Sequence, residues 1–95
     1  MRSLKLADSA VQAWLAVLRG WSLQEDMIVR TFAFADFATA LRFVNAIAQA
    51  AETADHHPDI DIRYNKVTLA LTTHDSGGLT EKDFTLAVQA DTLAA

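Results

Sequence analysis

The sequence predicts an α+β domain with the element order α-β-β-α-β-β-α and helices packed on one face of a four-stranded antiparallel sheet. Three observations lead there. The chain has 95 residues, 52% of them hydrophobic, with three glycines and one proline, so it can build a compact core and is not a disordered chain. Four short segments read as strands, two of them with the apolar/polar alternation of a half-buried strand, and they come as two pairs, each joined by a tight polar turn. Three other segments space their apolar residues as helices do. With no internal repeat, linker or low-complexity stretch, residues 1–95 read as a single domain, and helices layered on one side of a sheet are the simplest way to bury that face.

The first helix is expected to start at Ser9, which has capping-box spacing with Gln12, and to end at Gly20 in the left-handed position past its last turn. Val11, Trp14, Leu15 and Leu18 form its inner face, so Ala10–Leu18 is an amphipathic helix rather than a signal-peptide core. Trp21–Leu23 opens the sheet, and Glu25-Asp26 turns the chain into Met27–Phe34. In that strand Ile28, Phe32 and Phe34 share the inner face with Arg30, which must snorkel or find a partner. Asp36 caps the longest helix, Phe37–Ala54, with a buried stripe of Phe37, Leu41, Val44, Ala48 and Ala51 widened by Ala40, Phe43 and Ile47. Its many alanines favour the helix and let a sheet or a second subunit approach closely. Pro58 stops any continuation. Ile60, Ile62 and Tyr64 then share a face, as do Val67, Leu69 and Leu71, with Asn65-Lys66 as the hairpin turn. Ser76-Gly77-Gly78 is a loop, and Thr80 caps a last helix that turns Phe84, Ala87 and Val88 inward.

Composition removes several function classes. A net charge of −4 leaves no basic stripe for binding nucleic acid. The absence of cysteine excludes disulfides, thiolate metal sites and thiol catalysis, and fits a reducing compartment. No apolar run approaches the roughly 18 residues of a membrane span, so a cytoplasmic protein without membrane contact is expected.

Chemistry concentrates between Glu52 and Asp83, which enclose all three histidines, His56, His57 and His74. With Asn65-Lys66 as the turn, Tyr64 lies opposite Val67, Ile62 opposite Leu69 and Ile60 opposite Leu71. Continuing that register sets His57 opposite His74, at the roughly 4.5–5.5 Å between β-carbons of a cross-strand pair. Blander readings exist for each residue. His56 near a helix end can be a cap, Asp83 completes a capping box with Thr80, Glu52 and Asp55 can be solvated charges with Glu52 pairing His56, and Trp21 and Tyr64 can be core or rim. Convergence of three imidazoles with flanking carboxylates favours acid–base work instead, because histidine titrates near neutrality. A zinc site is disfavoured, since adjacent histidines seldom aim at one ion and the usual ligand spacings are missing, so no metal is expected.

These residues resemble the pterin-4a-carbinolamine dehydratase (4a-hydroxytetrahydrobiopterin dehydratase) family. Its pattern of an acidic residue, His-His-Pro, an aromatic, Thr-His, Gly-Leu-[Ser/Thr] and Asp is met by Glu52, His56-His57-Pro58, Tyr64, Thr73-His74, Gly78-Leu79-Thr80 and Asp83. Tyr64-Asn65-Lys66-Val67, Trp21 and the Phe32-x-Phe34-x-Asp36-Phe37 run also match, so the likeness covers about Trp21 to the C-terminus. The resemblance implies the same α-β-β-α-β-β-α fold. It implies loss of water from a 4a-hydroxytetrahydropterin to give quinonoid dihydropterin in pterin recycling, without metal or redox cofactor.

By position, it makes His56 and His74 the acid/base pair and His57 a pterin-binding group. Glu52, Asp55 and Asp83 would hold imidazoles, with Pro58 and Trp21 beside the pocket. Many members carry an aromatic where this chain has Ile60 and a polar residue where it has Ile62, which bears on the pterin preferred. Two alternatives accompany this reading. One is an interaction module, since animal relatives are dimerisation partners of a homeodomain activator and Phe37–Ala54 offers a contact surface. The other is a pterin-binding enzyme of molybdopterin-related metabolism. A homodimer or homotetramer is expected, because sheet edges and a small-residue helix invite self-association.

Overall fold

The structure, a computed structural model, describes residues 4–95. Helix α1 (Asp8–Val17) leads into strands β1 (Ser22–Gln24) and β2 (Met27–Ala33), helix α2 (Phe37–Ala54), strands β3 (Asp59–Arg63) and β4 (Lys66–Leu71), a single 3₁₀ turn (His74–Ser76) and helix α3 (Glu81–Ala94). The strands form one antiparallel sheet in the order β1-β2-β4-β3. This is the predicted α-β-β-α-β-β-α architecture.

The core forms where the inner faces of β2 and β4 meet α2 and α3. Ile28, Phe32, Val67, Leu69 and Leu71 supply the sheet side, and Ala40, Phe43, Ile47, Phe84, Leu86 and Ala87 the helical side. Ring contacts order it further: Phe43 lies 4.9 Å from Phe32 and 5.1 Å from Phe34, and Trp14 of α1 stacks on Phe84 at 5.3 Å. Aromatic pairs at such distances add about 0.5–1.5 kcal/mol beyond the area they bury. Arg30 finds a partner: its guanidinium donates to Asp91 at 2.9 Å and lies 4.6 Å from the centre of the Phe32 ring.

Several local expectations are corrected. α1 begins at Asp8 behind Ala7, whose side chain makes no cap, so Ser9 is inside the helix and forms no capping box with Gln12. The helix ends at Val17, and Gly20 does not have a positive φ. What Gly20 provides is room, since a β-carbon there would stand 2.5 Å from the Arg30 guanidinium. α2 matches Phe37–Ala54 and carries the Asp36 cap, whose carboxylate accepts from the Thr39 amide at 2.8 Å. Its buried stripe, however, is Ala40, Phe43, Ile47 and Ala51, while Phe37 and Ala48 are exposed. In α3 the inner face includes Leu86 and Ala90, and Val88 faces out.

The most consequential correction is the hairpin. β3 pairs with β4 as Ile60 with Leu69, Ile62 with Val67 and Arg63 with Lys66. The two turn residues are therefore Tyr64 and Asn65, and it is Tyr64 that takes the positive φ of 54°. Asn65 earns its place differently, with its side-chain amide donating to the Phe34 carbonyl at 2.7 Å and its own carbonyl accepting from the Phe34 amide. The register differs by two residues from the expectation, so each side chain keeps its face but not its partner. Pairing stops at Asp59 with Ala70, and no strand carries His57 to a position opposite His74. Ile60 and Ile62 lie on the helical side of the sheet yet stay 37% and 39% exposed, because β3 is an edge strand that the helices do not cover.

Candidate active site

The histidines are gathered by two chain reversals rather than by a strand pair. The first ends α2. Asp55 adopts the left-handed conformation at φ 51° and ψ 46°, the His56 amide donates back to the Ala51 carbonyl at 3.0 Å, and the Asp55 amide to the Glu52 carbonyl at 3.2 Å. This is a Schellman reversal with an aspartate where glycine is usual. It turns His56 inward, where it is 8% exposed, and leaves His57 outside. The second reversal spans Thr73 to Gly78, which exchange backbone hydrogen bonds at the base of a loop completed by Gly77 at φ 76°. His74 projects from this loop and is exposed.

The three imidazoles occupy different environments. His56 Nε2 lies 2.6 Å from Oδ1 of Asp83, a carboxylate with no solvent exposure. Oδ2 of Asp83 accepts from the Thr80 amide at 2.9 Å and the Thr73 hydroxyl at 2.7 Å. Asp83 is thus both the capping-box residue of α3 and the holder of His56. His57 Nε2 is bonded to the Glu52 carboxylate, and both side chains are largely exposed. The His74 ring has no hydrogen bond among the described residues.

His56, His57 and His74 line one hollow of about 270 Å³ together with Asp55, Thr73 and Lys82. Thr72 and His74 also line an adjoining hollow of about 300 Å³ bordered by Glu25, Asp26 and Asp59. Two joined hollows of this size suit a small molecule. Among the described residues a larger hollow, about 740 Å³, lies elsewhere, between α2 and α3, and has no ionisable residue in its lining. It offers no acid–base group, so the histidine hollow is the candidate site.

Comparison with known proteins gives the family. A family model described as pterin 4 alpha carbinolamine dehydratase matches residues 4–93. The chain belongs to this family. Within it, a Chloroflexus aurantiacus protein provisionally named pterin-4-alpha-carbinolamine dehydratase is 56% identical over 87 residues, covering 92% of this chain and 94% of that one. A crystal structure of a transcriptional coactivator/pterin dehydratase from Brucella melitensis superposes with a TM-score of 0.93 at 36% identity, covering 96% and 99% of the two chains. A pterin dehydratase-like protein described as a RuBisCO assembly factor in the alpha-carboxysome superposes with a TM-score of 0.66 at 26% identity, covering 79% and 87%.

The sequence-derived residues of this carbinolamine dehydratase homologue are placed unequally. His56, His57, His74 and Asp55 line the hollow, Asp83 holds His56 and Glu52 holds His57. Glu52 therefore does not pair with His56, as helical spacing suggested. Asp55 makes no bond to an imidazole and serves through its backbone turn. Pro58 is half-buried directly after His57. Trp21 is buried, and its indole donates to Asp91 at 2.9 Å, about 12 Å along α3 from Asp83 at 1.5 Å per residue. Neither Trp21 nor Ile60 lines the histidine hollows. The residues that sequence reasoning left unassigned are Thr73 and Thr80, read as motif and cap, whose hydroxyls meet at 2.8 Å beside Asp83. The only available signal was that two threonines flank the loop carrying His74.

Proposed function

We propose that this protein removes water from a 4a-hydroxytetrahydropterin by histidine acid–base catalysis. The observation that carries the reading is the set of three imidazoles around one hollow, each with a different partner: a buried carboxylate, an exposed carboxylate and none. The reaction needs two proton movements. An acid protonates the 4a-hydroxyl, the C4a–O bond breaks as the N5 lone pair forms the C4a=N5 bond, and a base removes the N5 proton, leaving quinonoid dihydropterin and water. His56 and His74 are the pair that exchanges these protons, and His57, tied to Glu52, binds and orients the ring. Positioned groups of this kind contribute about 10²–10⁴-fold each. No step calls for a metal or a redox cofactor. A reduced pterin substrate and a chain without cysteine suit the cytoplasm.

The test is a stopped-flow assay of 4a-hydroxytetrahydropterin decay with wild-type protein and His74→Ala. His74 is exposed and unbonded, so the variant keeps its circular dichroism spectrum while turnover falls about a hundredfold or more. A variant as fast as wild type sinks the proposal. A second reading, an interaction module, draws on the open groove between α2 and α3, lined by Ala46, Ala50, Ala54, Val88 and Leu93 among others, and on the likeness to a protein described as an assembly factor. Wild-type protein that binds a partner chain but does not speed pterin decay would favour that reading alone.

A further inference from the structure

We infer that the Thr73 hydroxyl is a positioning residue that sets which nitrogen of His56 carries a fixed proton, leaving Nδ1 as the atom that exchanges protons with the substrate. This rests on the dehydratase reading for its catalytic consequence, but not for the proton placement itself.

The directions of the hydrogen bonds follow from donor counting. The Lys82 amide can only donate, and it donates to the Thr80 hydroxyl at 3.2 Å. The single proton of the Thr73 hydroxyl goes to Asp83 Oδ2 at 2.7 Å. In the 2.8 Å contact between the two hydroxyls the proton must then come from Thr80. The chain runs one way, from the Lys82 amide through Thr80 and Thr73 to Asp83. With the Thr80 amide also donating at 2.9 Å, Oδ2 receives two donors. We assign Asp83 as the carboxylate, which can only accept. Oδ1 of that carboxylate, 2.6 Å from His56 Nε2, therefore requires a proton on Nε2.

The other ring nitrogen has the opposite situation. His56 Nδ1 has no partner, and among the described residues no buried side-chain nitrogen or oxygen lacks one. Nδ1 is thus not sealed off, and it lies in the 10% of the His56 side chain that remains exposed, where the ring lines the hollow. With Nε2 occupied in every protonation state, neutral His56 offers a lone pair at Nδ1 and the imidazolium offers a proton there. Without the Thr73 hydroxyl, Oδ2 loses one of its two donors and Thr80 loses its acceptor. The carboxylate then keeps only the Thr80 amide on Oδ2, and Oδ1 is less firmly aimed at the ring nitrogen whose proton it selects. Thr73 acts through Asp83, to which its one hydroxyl proton is committed.

Long-range ¹⁵N–¹H spectra of the histidine rings test the proton placement in the wild-type protein, where His56 should show a protonated Nε2 and a pyridine-like Nδ1 in its neutral form. The reverse pattern overturns the inference whether or not the protein is a dehydratase. Thr73→Val keeps the shape and removes the hydroxyl. It should mix the two His56 tautomers and lower kcat at least about tenfold with KM changed less than about twofold. Thr73→Ser should restore both. An unchanged His56 spectrum in Thr73→Val, or a kcat loss that Thr73→Ser fails to recover, overturns the role of the hydroxyl. Wild-type protein that shows the expected tautomer but does not accelerate pterin decay leaves the positioning intact and refutes the dehydratase reading.

Discussion

Two aspartates at helix N-termini show how the same residue type serves different ends. Asp83 is buried, and its oxygens make three hydrogen bonds, to the Thr80 amide, the Thr73 hydroxyl and His56 Nε2. Asp36 caps α2 in solvent. Hydrogen bonds from the Thr39 side chain and amide, helped by the positive charge of Arg42, hold its carboxyl below the ordinary value despite some desolvation. A folded-state pKa below the unfolded one means that the unfolded chain binds the proton more readily. The cap's contribution to stability is therefore present above the unfolded pKa and lost as pH falls through the folded one. Urea midpoints of wild type and Asp36→Asn should differ in pH sensitivity, with wild type losing its advantage as the solution is acidified below about pH 4. A gap that stays constant down to pH 2 would refute the assignment. Both caps were legible in the sequence, because a short polar residue before an apolar period is a local signal. That Asp83 also holds His56 came from motif likeness alone, since a contact between positions 27 apart has no local signature.

At the level of elements, the ends proved harder to read than the middles. Helical period located α2 to the residue but misplaced its buried stripe, because alanine gives almost no hydrophobic contrast between faces. Ala48 faces out while Ala40 and Ala51 are buried. The hairpin register failed for a related reason. Asn65 tolerates positive φ, so it drew the turn one step along, whereas Tyr64 takes that conformation and Asn65 is tied to Phe34. Asp55, which reverses the chain into His56, is also left-handed. Asp55→Gly should stabilise the protein by about 0.5–1 kcal/mol, raising Tm by a few degrees, since glycine holds this conformation without strain. Scanning calorimetry checks it, and a lowered Tm would show that the aspartate side chain stabilises the turn. If turnover fell while Tm rose, the carboxylate would have a part in the chemistry that its lack of an imidazole partner does not reveal.

Across the whole molecule the layer architecture was the most legible feature, because strand and helix periods each summed over many residues point to one packing solution. The surface left over was less so. Ile60 and Ile62 on the uncovered β3 edge, and the α2–α3 groove, leave apolar area in water on two sides of a small protein. An oligomer of identical chains would cover it, and light scattering at micromolar concentration should give at least twice the mass of one 10.4 kDa chain. A single-chain mass across that range would refute self-association.

The loop that carries His74 begins at Thr73, the same residue whose hydroxyl is locked against Asp83 and Thr80 in the interior. The loop that presents His74 is therefore anchored to a buried, hydrogen-bonded cluster. Hydrogen exchange should find the Thr80 and Asp83 amides among the last to open, and loss of activity on heating should follow global unfolding rather than precede it. Keeping the chemistry and keeping the core would then be the same event.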